Sequence, residues 1–88
     1  MISKEYVVTT TDGIHARPAT KLVRLAKQYR SEISLRTGDR QVRLTSMLNV
    51  ITAGVKRGDT ITIIVDGEDE QAALTAIDQF LTEELRNQ

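Results

Sequence analysis

The run Thr60-Ile61-Thr62-Ile63-Ile64-Val65 sets the terms for any fold this chain can adopt. In an extended strand, Ile61, Ile63 and Val65 fall on one face, and Ile64 makes the centre of the other face apolar too. A strand apolar on both sides reads as an interior strand of a sheet. The rest of the chain must therefore supply strands for both of its edges.

Three other stretches carry the two-residue period. Within an alternation over residues 5–9, residues 6–9 read as a strand, with Tyr6 and Val8 on one face. Residues 32–36 alternate with Ile33 and Leu35 inward, and residues 41–44 with Val42 and Leu44 inward. Between them Thr37-Gly38-Asp39-Arg40 reads as a tight turn, so the pair is a hairpin.

The remaining segments carry the helical period. Over residues 16–29, Ala19, Leu22, Val23, Ala26 and Tyr29 share one face. Residues 45–54 read as a short helix with Ser46 as N-cap and Gly54 as stop. A last helix opens in the acidic cluster Glu68-Asp69-Glu70, with Asp69 expected to cap it, and carries the stripe Ala73, Leu74, Ile77, Phe80, Leu81 and Leu85. The order is β-α-β-β-α-β-α. Strands with one apolar face cover a core on one side, so the helices must supply the other layer. The expectation is a two-layer α+β open-faced sandwich forming a single domain over residues 1–88.

Composition excludes several classes. Aromatic residues are 3% of the chain, against 40% hydrophobic overall, so the core must be aliphatic. With no cysteine there is neither a disulfide staple nor a thiolate metal site. Twelve basic and twelve acidic residues cancel, which argues against a basic nucleic-acid binder, and so few aromatics argue against a base-stacking platform. No apolar run has the length of a signal peptide core or a membrane-spanning helix. The charge is uneven: all but one of the Lys and Arg residues precede residue 58, while residues 66–84 are mainly acidic. One end could thus present a basic face to an acidic protein partner.

The stretch Asp12-Gly13-Ile14-His15-Ala16-Arg17-Pro18-Ala19-Thr20 holds the only histidine and the only proline. It sits where strand gives way to helix. A helix start leaves backbone N–H groups without partners and adds partial positive charge, both of which disfavour a protonated imidazole. His15 is therefore expected to be neutral and nucleophilic, with N–H groups ready for any anion that comes to rest on it. Arg17 offers a fork of donors suited to phosphate oxygens. Pro18 fits the first turn, and Gly13 permits the turn that brings the histidine round. These residue types suit a histidine that carries a phosphoryl group; a solvated cap is the ordinary alternative.

The order Gly13-Ile14-His15-Ala16-Arg17-Pro18-Ala19-Thr20 resembles the active-site motif of HPr, the histidine-containing phosphocarrier family of the bacterial phosphoenolpyruvate:sugar phosphotransferase system. Chain length, Thr45-Ser46-Met47-Leu48 at the family's serine-bearing helix and Gly67-Glu68-Asp69-Glu70-Gln71 at the last helix extend the resemblance to essentially the whole chain. It implies an antiparallel sheet in the order 1-4-2-3 with three helices on one face. It also implies that His15 takes a phosphoryl group on Nδ1 from phosphorylated enzyme I and passes it to IIA domains of sugar permeases, with Arg17 holding the phosphate oxygens and Gly13, Ala16 and Pro18 in support. Such a protein is a cytoplasmic carrier within a relay rather than a stand-alone turnover enzyme. It needs no cofactor and no metal, inserts in no membrane, binds no nucleic acid and works as a monomer.

The same resemblance implies a docking surface of Thr20, Arg24, Lys27, Met47, Leu48, Asn49 and Ala53. Residue types alone leave these open. Arg24 and Lys27 suit an ordinary solvated face or a basic rim, and Met47 and Leu48 suit core or an apolar patch. Ser46 reads as a cap from its position and, by the resemblance, as the serine that HPr kinase/phosphorylase modifies to create a corepressor of the catabolite control protein. Two departures stand out. Asp12 replaces a neutral Asn or Ser and either repels the phosphoryl group or caps the turn. Thr45-Ser46-Met47-Leu48-Asn49 differs from the K-S-I-M-G common around that serine, which weakens the match to the kinase. His15 argues against the regulatory paralogue that lacks it. The alternatives are a specialised paralogue of a nitrogen-regulatory or single-sugar branch, and a purely regulatory binding module.

Overall fold

The structure is a computed structural model that describes residues 1–9 and 16–86; for Ala16, Arg17, Leu85 and Arg86 it describes the backbone. The elements are β1 (Ile2–Val7), α1 (Ala16–Ala26), β2 (Glu32–Thr37), β3 (Arg40–Arg43), α2 (Met47–Thr52), β4 (Thr60–Asp66) and α3 (Glu70–Arg86). All strand pairs are antiparallel, and the sheet order is β1-β4-β2-β3. The apolar run at residues 60–65 thus takes an interior place. Ile63 faces Lys4 of β1 on one side and Leu35 of β2 on the other.

Ile61, Ile63 and Val65 lose all contact with solvent, as expected of the inward face. They share one aliphatic core with Leu22 and Val23 of α1, Leu35 of β2, Val50 of α2, and Ala73, Ile77 and Leu81 of α3. Each such aliphatic side chain contributes about 1.5–3 kcal/mol relative to exposure. On the open face, Ile64 is half-buried between Ser3 and Ser34.

The sequence boundaries shift for local reasons. β1 begins at Ile2 and stops at Val7, where its pairing with Thr60 ends. Val8 remains fully buried, but its backbone bonds go to Gly58 and Asp59 instead of a strand. α1 stops at Ala26 rather than Tyr29, because Gln28 and Tyr29 donate only three residues back, to Leu25 and Ala26. The half-buried Tyr29 still packs on the core from outside the helix. β3 covers Arg40–Arg43, and Leu44 follows it as a buried residue whose N–H reaches the Ile33 carbonyl. The Leu85 side chain lies outside the described residues.

Gly54 does stop α2. Its φ of +71° is the left-handed conformation that reverses a helix end and that a Cβ disfavours.

The capping expected of Asp69 is corrected. Its carboxylate turns away from α3 and accepts the Arg30 N–H at 2.8 Å, the Ser31 N–H at 2.9 Å and the Ser31 hydroxyl at 2.5 Å. Three donors in the turn after α1 outweigh one on its own helix. Glu70 supplies local closure by accepting the Gly67 N–H at 3.1 Å. On the other edge, Lys4 and Tyr6 donate to one oxygen of Asp78, at 2.8 and 2.6 Å, joining β1 to α3. The Lys4 bond first, then the Tyr6 bond, holds the Asp78 carboxyl below its usual range. Burial and that same bond push the Tyr6 phenol up.

Candidate functional site at the starts of α1 and α2

Two short helix starts lie side by side. α1 begins at Ala16, the residue directly after His15. His15 itself, with Asp12 and Gly13, lies outside the described residues, as do the side chains of Ala16 and Arg17. Pro18 stands half-buried in the first turn, where the missing N–H leaves no bond unmade. The fully buried Ala19 and Leu22 turn the opposite side of α1 onto the sheet. That packing determines which face remains exposed, and Lys21, Arg24 and Lys27 lie on it. No acidic side chain pairs with these three among the described residues.

α2 is set by Ser46. Its extended backbone (φ −147°, ψ 136°) places the hydroxyl oxygen to accept the Leu48 N–H at 3.2 Å, the N-cap expected from sequence. The helix has one fully buried residue, Val50, so its outer face is apolar and uncovered. Met47, Leu48 and Ile51 are exposed there, Leu48 by 66%. The Thr20 hydroxyl meets the Met47 sulfur at 2.7 Å and bridges the two helices.

The structure therefore gathers Thr20, Arg24, Lys27, Met47, Leu48 and the half-buried Asn49 along neighbouring helices. Ala53 departs from that set. It is 8% exposed and packs in the core, and its N–H is spent on the carbonyls of Asn49 and Val50. The sequence reading missed Ile51, which follows Met47 by four residues and Leu48 by three and so shares their face. It also missed Arg40, which donates to the Thr52 carbonyl at 2.9 Å and closes the last turn of α2. A lone arginine at a hairpin corner gives no sequence signal for such a contact, because the helix end it meets is twelve residues away.

A cation row beside an exposed apolar strip suits transient docking of an acidic protein with a small apolar patch. A groove between the end of α1 and the hairpin, lined by Tyr29, Arg30 and Arg43, adjoins this surface at Lys27. Among the described residues, no cluster of acidic or imidazole side chains could hold a metal ion. No described helix is long and apolar enough to cross a membrane.

Comparison with known proteins agrees in fold and sequence. A family model described as the PTS HPr component phosphorylation site matches residues 2–83. The histidine-containing phosphocarrier protein of Mycoplasma superposes with a TM-score of 0.92 at 33% identity, over 96% of each chain. Phosphocarrier protein HPr of Bacillus anthracis gives 0.81 at 26% identity, over 90% of this chain and 94% of that one. The Bacillus subtilis catabolite-repression protein Crh, described as a swapped dimer, gives 0.74 at 31% identity, over 96% and 97%. The β-α-β-β-α-β-α order, the 1-4-2-3 sheet and these matches together make the chain a member of the HPr family of the phosphotransferase system.

Proposed function

We propose that this protein is the phosphocarrier of a sugar phosphotransferase relay, with His15 as the residue that carries the phosphoryl group. The observation that carries the reading is the start of α1 at Ala16, the residue that follows His15 in the sequence run Gly13-Ile14-His15-Ala16-Arg17-Pro18. The donor is phosphorylated enzyme I, and the acceptors are IIA domains of sugar permeases. As His15 Nδ1 bonds to phosphorus, the bond to the donor breaks on the opposite side. The free N–H groups of the first turn and the Arg17 guanidinium neutralise the oxygens in flight. Their hold must be weak enough that the next acceptor can take the group, so the same donors serve capture and release. No metal or cofactor enters this step.

Docking falls to Thr20, Arg24, Lys27, Met47, Leu48 and Asn49, with Ile51 added. Long cations steer an acidic partner, and the adaptable Met47 and exposed Leu48 supply apolar contact to more than one partner. Ser46 is a regulatory position. A phosphate on its oxygen would add about two negative charges within this surface, tolerable at a helix start and repulsive to an acidic partner.

The test is intact mass after incubation with enzyme I and phosphoenolpyruvate. The parent protein gains one acid-labile phosphate and His15→Ala gains none. Equal gain by both proteins, or none by the parent beside a competent control carrier, removes the reading.

A further inference from the structure

The chain has no cysteine, so its sulfur chemistry rests on two thioethers, Met1 and Met47. Met47 is the first residue of α2 and is 41% exposed, beside Leu48 and Ile51 on the uncovered apolar face. The Thr20 hydroxyl donates to its sulfur at 2.7 Å. Thr20 follows the fully buried Ala19, and Met47 lies one turn before the fully buried Val50, so both partners stand on helices anchored in the core. The hydroxyl engages one lone pair of the sulfur. A thioether has two, on opposite faces of its C–S–C plane, and the second is left for a reagent that arrives from solvent.

We infer that Met47 is an oxidation site at which a peroxide weakens docking, with Thr20 deciding which face of the sulfur reacts. The uncovered lone pair attacks one oxygen of hydrogen peroxide. The S–O bond forms as the O–O bond breaks, sulfur is oxidised by two electrons, and the second oxygen leaves as water with both protons. The product is methionine sulfoxide, which is polar and chiral at sulfur, and attack from one face gives one epimer. Its S=O dipole lies among Met47, Leu48 and Ile51. It must be desolvated when an apolar partner surface closes over that strip, which costs affinity. The change is reversible, because methionine sulfoxide reductases exist for each epimer. The loss of docking rests on the carrier reading above; the chemistry at sulfur does not.

The experiment treats the protein with hydrogen peroxide and removes the reagent. Peptide mass mapping then locates the added oxygen, each epimer-specific reductase is applied in turn, and the enzyme I reaction is followed. Met47 is expected to gain one oxygen that only one of the two reductases removes, and KM for the carrier to rise about tenfold with kcat little changed. Met1, 78% exposed, serves as the internal reference and should give both epimers. Met47→Leu should keep its own KM through the same treatment, and Thr20→Val should yield both epimers at Met47. Met47 left reduced while Met1 reacts, a parental KM after oxidation, or both epimers at Met47 in the parent would each overturn the inference. So would a single epimer in Thr20→Val. Amide resonances of β2 and β4 check folding, and a KM rise that comes with their loss reports unfolding and also overturns it. If Thr20→Val does not fold, Thr20→Ala takes its place with the same expectation. A parent that takes no phosphoryl group defeats the carrier reading instead, and the sulfoxide and its epimer then decide the roles of Met47 and Thr20 by themselves.

Discussion

Ser31 binds Asp69 twice, its hydroxyl at 2.5 Å and its N–H at 2.9 Å from the same carboxylate oxygen. The pair joins the turn after α1 to the start of α3, 38 residues apart in sequence. The Ser31 hydroxyl first, then the Arg30 N–H, holds the Asp69 carboxyl below its ordinary value of 3.8. A carboxyl with a lowered folded-state pKa stabilises the fold above its unfolded value, and that stabilisation is lost as pH falls through the lower folded value. Asp69→Asn should therefore melt below the parent at neutral pH, with the gap closing only under acid conditions below about pH 4. Melting curves of both proteins from pH 2.5 to 7 check this. A gap of constant size would show that the charge contributes nothing.

Gly67 lies against the same serine. A Cβ at Gly67 would stand 2.6 Å from the Ser31 Cα and 2.7 Å from its hydroxyl oxygen. The obstacle is backbone, so the two segments must separate. Gly67→Ala is expected to cost about 1–3 kcal/mol, the range for overpacking a close contact. Urea unfolding measures it, and an unchanged midpoint would contradict so close an approach.

The Ser46 cap can be tested apart from any phosphorylation. Ser46→Ala leaves the Leu48 N–H without its acceptor and should cost about 1 kcal/mol, while Ser46→Asp, which can also cap, should stay near the parent. Hydrogen exchange at Leu48 reports the helix start directly. Equal exchange in the Ala variant and the parent would mean that the cap does not hold α2.

Docking separates into apolar and electrostatic parts. Leu48→Ala should raise KM for the carrier in the enzyme I reaction about tenfold while kcat changes little, since Leu48 is exposed and stabilises no reacting charge. Lys27→Glu should raise KM most at low salt, and the penalty should fade as ionic strength rises. Steady-state kinetics at two salt concentrations distinguish the two. A kcat effect from either variant would place it nearer the chemistry than the surface described above.

Much of this architecture was legible in residue order. Period-two and helical spacing located all seven elements, because burial on one face leaves a periodic trace in the sequence. The run at residues 60–65 announced an interior strand, and Ser46 and Gly54 announced the ends of α2 through local backbone chemistry. The motif around His15 was legible for the same reason: its residues are consecutive.

Contacts between distant segments were decided only in three dimensions. The residue spacing around Asp69 suggested a local cap, but the fold brought three donors from residues 30 and 31 within its reach. Ala53 looked like surface until helix packing turned it inward, and Ile51 took the outward place. Arg40 found the end of α2, and Asp59 the turn that holds Val8. The sequence by itself determined the elements, their order, the faces they would bury and the motif, because each depends on neighbours along one strand or one helical turn. Only the tertiary structure decided which polar groups would meet across elements, because a hydrogen bond depends on distances of a few tenths of an ångström that no spacing along the chain encodes.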